Sequence, residues 1–95
     1  MTSKQRAYLR GLANRLDAIF QVGKNGINDN LIKQLDDVLE ARELIKISVL
    51  ETAPEEVKKI ANIIAEKTTS DVVQIIGSKF CLYRPSKEAV IVLPK

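Results

Sequence analysis

The 95-residue sequence has no histidine, no tryptophan, one cysteine and only four aromatic side chains, two Phe and two Tyr. Without histidine there is no imidazole base, no Ser-His or Cys-His nucleophile pair and no imidazole metal ligand. A single cysteine, Cys81, closes no internal disulfide and builds no Cys-rich zinc site. No stretch approaches the roughly 18 apolar residues of a membrane span. The segment from Met1 to Arg10 is polar and basic and lacks the apolar centre of a secretory signal. With four glycines and three prolines there is no low-complexity linker, no internal repeat and no composition break. The expectation is one domain over residues 1–95, reduced and cytoplasmic, without cofactor, metal, membrane contact, small-molecule substrate or catalytic activity.

What is present is aliphatic. Leu, Ile, Val and Phe make up 31 of the 95 residues, well above the roughly 20% below which chains stay disordered. The net charge of +3 is small, but its distribution is uneven. Residues 1–33 carry six bases and two acids, residues 34–76 five bases and nine acids, and residues 77–95 four bases and one acid. Both ends are basic and the middle is acidic. Ends that meet on one face form a surface for a polyanion; the same charges, interspersed, suit an ordinary solvated surface.

Periodicity predicts the elements. Ser3 to Leu16 reads as a helix with Tyr8, Leu9, Leu12 and Leu16 as its apolar stripe, capped by Thr2 or Ser3. Arg6 and Arg10 flank one side of the stripe, Lys4 and Arg15 the other. Ala18 to Val22 predicts a short strand and Asn28 to Arg42 a second helix, with Asn28 as N-cap and Ile27 stapled onto Ile32. Leu44 to Leu50 alternates as a strand. Thr52 and Glu55 fit a capping box, with Pro54 in the first turn of a helix running to Lys67. Val72 to Ile76 and Phe80 to Tyr83 predict a hairpin about Gly77-Ser78, and Ala89 to Leu93 a short edge strand. The order α-β-α-β-α-β-β predicts a two-layer α/β domain, parallel where helices connect the strands.

One loop carries chemistry. Gly23-Lys24-Asn25-Gly26 lies between a strand and a helix N-terminus. Glycines there permit positive φ and close approach of a ligand, and backbone N–H groups at a helix start favour phosphate. This is the physics of a GXXG loop that clamps a nucleic-acid backbone, although two glycines three apart also suit an ordinary turn. The Walker pattern GxxxxGK[ST] is absent. Arg84 has the reach for a phosphate and Tyr83 the ring to stack on a base, or to pack inward. Four aromatics are too few for a stacking sheet. Cys81 reads as a small buried residue, and the acids Asp36, Asp37, Glu40, Glu43, Glu55 and Glu56 as mostly helix-surface positions.

Four segments together resemble the CRM domain family (chloroplast RNA splicing and ribosome maturation), in its bacterial stand-alone YhbY-like form. They are Tyr8-Leu9-Arg10-Gly11-Leu12-Ala13, Val22-Gly23-Lys24-Asn25-Gly26-Ile27, Glu43-Leu44-Ile45-Lys46 and the run from Gly77 to Pro85. The resemblance implies an RNA-binding domain with a four-stranded mixed sheet. The implied fold is similar to the C-terminal domain of initiation factor three, plus an N-terminal helix. It also implies association with precursors of the large ribosomal subunit. The family's GXXG loop maps onto Gly23, Lys24, Asn25 and Gly26, and its basic surface onto Lys4, Arg6, Arg10 and Arg15.

The expected mechanism is that the loop and Lys24 grip phosphates while the first helix, with Lys79, Arg84 and Lys87, extends the positive footprint. Both basic ends then share a face with Gly23–Gly26, and the protein acts as a monomer on RNA. The alternative is a protein-interaction module that docks a ribosomal protein or processing factor through its acidic helices, with Asp37 and Glu40 on the contact face.

Overall fold

Leu44 to Val49 reads Leu-Ile-Lys-Ile-Ser-Val, and its alternation divides the molecule into two cores. Odd and even side chains of a strand leave on opposite faces. Ile45, Ile47 and Val49 join Leu35, Leu39, Ile60, Ile64, Phe80 and Leu82 on one face. Leu44 joins Leu9, Ala13, Val73, Cys81 and Tyr83 on the other.

The computed structural model describes residues 1–94. The elements are α1 (Ser3–Ala13), β1 (Phe20–Val22), α2 (Asp29–Arg42), β2 (Leu44–Val49), α3 (Val57–Thr68), β3 (Asp71–Ile76) and β4 (Lys79–Tyr83). The four-stranded sheet has the order β1-β2-β4-β3. β1 runs parallel to β2, and β4 runs antiparallel to both β2 and β3. The mixed α/β sheet is therefore as expected. Helices α2 and α3 cover one face, and α1 is the additional helix, laid across the other.

The local chemistry explains most boundaries. Thr2 and Gln5 form a reciprocal capping box at α1. Asn28 accepts the Leu31 N–H at 2.8 Å and caps α2. Gly77, with φ 58°, makes the tight β3–β4 turn.

Four expectations need correction. Helix α1 ends at Ala13, and the chain turns through Arg15 and Leu16 by tighter bonds to Leu12 and Ala13. Tyr8 stands 44% exposed, because Leu9 and Ala13 occupy the centre of the buried stripe and Tyr8 lies about 100° away.

The Thr52–Glu55 capping box does not form. Helix α3 starts at Val57 with Glu56 as an N-cap that makes no side-chain bond. Pro54 instead lies against the loop before α2: a Cβ at Gly26 would sit 3.1 Å from Pro54 Cγ. Finally, residues 89–93 form no strand, because the N–H groups of Val90 and Ile91 are taken by one carboxylate, that of Glu43.

Candidate nucleic-acid interface

The C-terminal ends of β1 and β2, the β3–β4 turn and the N-terminal ends of α2 and α3 all lie at one end of the sheet. Gly23–Gly26 sits there. The Gly26 N–H donates to the Gly23 carbonyl at 2.9 Å and closes the turn. Gly26 has φ 63°, a conformation that costs an L-residue about 1–2 kcal/mol. Gly23 lies close to Leu50 and Thr52, where an added Cβ would make ordinary contact at 3.5 and 3.6 Å. The segment between β2 and α3 thus braces both glycines, and the tip residues Lys24 and Asn25 are exposed. A shallow groove of about 440 Å³ runs beside the loop, lined in part by Gln21, Lys24, Asn28 and Thr52. Asp29 already faces the dipole in the first turn of α2, so Lys24 and the loop backbone supply the positive potential.

The α1 cations divide by helix side. Arg6, Arg10 and Asn14 are spaced by four and form one stripe along β3. Arg6 Nη1 donates to the Val72 carbonyl at 2.5 Å, and Asn14 accepts from Gln74 Nε2 at 3.1 Å. Arg10, between them in the stripe, is exposed. Lys4 is exposed on the other side. Arg15, just past the helix, shares a cavity of about 480 Å³ with Leu12, Arg42, Leu44 and Ile91.

Arg84 is placed differently from the expectation. Its side chain is 17% exposed, and it lies at the end of the sheet opposite the loop. Its guanidinium pairs with the Asp36 carboxylate and donates to the carbonyls of Asp36 and Thr68, both at 2.9 Å. Glu40 stands 3.7 Å away. Arg84 ties α2 to the end of α3. The Lys87 N–H, at the same end, donates to Glu40 at 2.9 Å.

The basic C-terminal third therefore splits. Lys79 stays at the loop end, Arg84 and Lys87 go to the far end, and Lys95 lies outside the described residues. The expected single positive face contains only the first of these. Tyr83 is likewise buried at 5% exposure in the α1-side core rather than displayed for stacking. Burial raises its phenol pKa, and the nearby charges of Glu43 and Asp71 push it the same way.

Glu43, read from the sequence as a surface acid, is fully buried. Burial pushes its carboxyl upward. Hydrogen bonds from the N–H groups of Ser86, Ile91 and Val90 and from the Ser86 hydroxyl outweigh that and hold it below the ordinary carboxylate range. The signal in the sequence is the single residue between α2 and β2: the helix stops abruptly between Arg42 and Leu44, and Glu43 makes the turn with φ 66°. Burial also raises the Cys81 thiol, partly offset by the Lys46 charge and a Gln74 hydrogen bond.

Lys46 was missed as a candidate. A lysine at an alternate position of a central strand is the signature of a sheet face that an apolar layer covers only in part. Among the described residues the ion pairs are Lys59 with Glu55 and Arg84 with Asp36 and Glu40, so Lys24, Lys46, Lys79 and Arg10 make no direct ion pair. No group of three or more His, Cys, Asp or Glu among the described residues is arranged to hold a metal, and no helix is long and apolar enough to cross a membrane.

Residues 1–84 match the model of the CRS1 / YhbY (CRM) domain. The chain is 49% identical over 88 residues to "Probable RNA-binding protein YqeI" of Bacillus subtilis, covering 93% of this chain and 92% of that one. It is 37% identical over 95 residues to "RNA-binding protein" of Haemophilus influenzae, covering 100% and 96%. The solution structure of a hypothetical protein from Staphylococcus aureus superposes with a TM-score of 0.82 at 52% identity, covering 99% of both chains.

Proposed function

The chain belongs to the CRS1 / YhbY (CRM) domain family, a family of RNA-binding domains, and from that premise we propose that it binds ribosomal RNA through the Gly23–Gly26 loop during assembly of the large ribosomal subunit in the cytoplasm. The observation that carries the proposal is the loop itself. Two glycines braced by Leu50, Thr52 and Pro54 hold an exposed Lys24 beside a groove at the end of the sheet. A backbone pre-set in this way meets a phosphate without ordering cost, and its glycines leave no side chain in the way.

Lys24 and Lys79 form the footprint at the loop end and Arg10 extends it along β3, whereas Lys4 and Arg15 lie toward the far end, Arg15 against Arg42 and Leu44. Arg6 contributes less, because one of its nitrogens is engaged by Val72. Arg84 is a structural residue in this reading. Specificity comes from RNA shape, since no aromatic stands at the loop end to read bases. The large-subunit precursor as target rests on the resemblance of the sequence motifs to bacterial YhbY-like proteins. The acidic side of α2 offers less to a protein partner, because Asp36 and Glu40 already engage Arg84.

The test is sedimentation of the tagged protein with ribosomal particles, together with RNA binding against salt. Wild-type protein is expected with large-subunit precursors, and Gly23→Asp/Lys24→Asp in the free fraction although still folded. Retention of that folded double variant on the particles would refute the loop's role.

A further inference from the structure

The α1-side face of the sheet is only half covered. Helix α1 packs over Leu44, Val73, Cys81 and Tyr83, and the Asn14–Gln74 hydrogen bond marks its edge. Beyond that edge the strand register places one row straight across the sheet: Gln21 opposite Ser48, Ser48 opposite Lys79, Lys79 opposite Ile76. The next row toward α1 holds Lys46, Cys81 and Gln74. None of these side chains is acidic. Ile76 is 60% exposed. Lys46 and Lys79 are diagonal neighbours on paired strands, roughly 7–8 Å apart, and no acid neutralises either among the described residues. A pit of about 90 Å³ lies between them, with Cys81 as one wall.

Gln21 joins this row to the loop, because it also lines the groove beside Lys24 and Asn28. From this the geometry points to a single-stranded RNA track that leaves the Gly23–Gly26 loop and crosses the open half-sheet past Gln21, Ser48, Lys46 and Lys79 to Ile76. The inference rests on the proposed RNA binding and adds the class of RNA and its path. Three strand gaps of roughly 4.8 Å make the row about 14 Å long, enough for a few nucleotides. Helix α1, about 10 Å in diameter, walls the strip on one side, so a flexible strand settles into it whereas a rigid duplex stands off.

The lysines take phosphates, Ser48, Gln21 and Gln74 offer hydrogen bonds to ribose or base edges, and Ile76 gives a base or ribose an apolar contact. The phosphate contacts of the two lysines carry no sequence information, so the track's main attraction is independent of sequence. The acid-free row is the charge complement of a phosphate backbone, and it separates this face from α2, whose outer side carries Asp36, Asp37 and Glu40.

The experiment measures binding of a labelled oligouridylate and of a short mixed-sequence RNA duplex against salt. It uses the wild type, Lys46→Gln/Lys79→Gln and, as a control at the end of the sheet opposite the loop, Lys67→Gln/Lys87→Gln. Wild type should prefer the single strand. The Lys46/Lys79 variant should bind it several-fold more weakly, with the log–log salt slope shallower by roughly 1.4, about 0.7 for each single-strand phosphate that is no longer neutralised. The Lys67/Lys87 variant should match wild type.

Crosslinking of 4-thiouridine RNA to the unmodified protein needs no variant, and adducts at Gln21, Lys46 or Lys79 support the track. Adducts confined to α2 and α3, preference for the duplex, or an unchanged slope in the Lys46/Lys79 variant overturns it. If the single strand depends on the loop but not on Lys46 and Lys79, the track fails and the loop reading stands. Absence of any RNA binding by wild type overturns both.

Discussion

The buried carboxylate of Glu43 accepts the backbone N–H of Ile91 at 2.6 Å, so the last turn of α2 holds the chain 48 residues further on. The same carboxylate accepts the N–H groups of Ser86 and Val90, both at 2.7 Å, and the Ser86 hydroxyl at 3.2 Å. The Glu43 carbonyl accepts the Arg84 N–H at 2.9 Å. One side chain thereby substitutes for the partner strand that residues 89–93 lack, and Ile91 and Leu93 are drawn onto the α1-side core.

Acid should loosen this attachment. The folded-state pKa of Glu43 lies below its unfolded value, so its contribution is complete above the ordinary glutamate value of about 4.3. It is lost as pH falls through the lowered folded value. The protection factors of the Ser86, Val90 and Ile91 amides are expected to fall there before those of the sheet amides do. Glu43→Gln puts an NH2 group against N–H donors and leaves buried donors unmatched, a cost of about 2 kcal/mol. Its melting temperature should fall by roughly 10 °C at neutral pH, with a smaller further loss in acid than wild type. An unchanged acid profile would refute the assignment.

Arg84→Lys should separate stability from ligand binding. The planar guanidinium reaches Asp36, the Asp36 carbonyl and the Thr68 carbonyl together, which a lysine ammonium on a flexible stem does not reproduce. Loss of these charge-assisted bonds costs roughly 1.5–3 kcal/mol. Thermal or urea unfolding should show this, while the salt slope of RNA binding stays at the wild-type value. A flattened slope would put Arg84 on the RNA.

These two residues also mark how much the sequence discloses. The α/β order, the strand pairing through helices and the Gly77 turn are legible because each follows from local periodicity or backbone chemistry. The loop is legible because its glycines are adjacent in sequence to a strand and a capped helix. Arg84 and Glu43 are not, because their partners lie up to 48 residues away, and composition does not tell a solvated charge from one satisfied in a cleft. Lys46 is legible in principle: its parity within β2 opposes Ile45 and Ile47. Parity assigns the face, however, and only the length and placement of α1 decide that the end of that face stays open.

Glycine substitutions should divide by position. Gly11 is helical with nothing within 4 Å of an added Cβ, so Gly11→Ala should stabilise by about 1 kcal/mol. Gly26→Ala meets Pro54 Cγ at 3.1 Å at a φ of 63°, so it should destabilise by about 1–2 kcal/mol and weaken RNA binding as the loop shifts. Denaturant midpoints and RNA titrations of the two variants check this. Equal effects at both positions would mean that Pro54 yields and the loop is not braced.

Cys81 should report on the α1 face. Its thiol is 1% exposed and raised in pKa by burial, and both effects suppress reaction, because the exposed thiolate is the nucleophile. Leu9 and Ala13 of α1 belong to the same core. Modification by a thiol reagent should therefore be slow in the native protein and should scale with the population in which α1 is open. Leu9→Ala removes a fully buried side chain and costs roughly 2–5 kcal/mol, enough to raise the open population by well over tenfold. The labelling rate should rise in step. Rapid labelling of wild-type protein, or a rate indifferent to Leu9→Ala, would show that the thiol is reached from the open half-sheet beside Lys46 and Lys79 without displacing the helix.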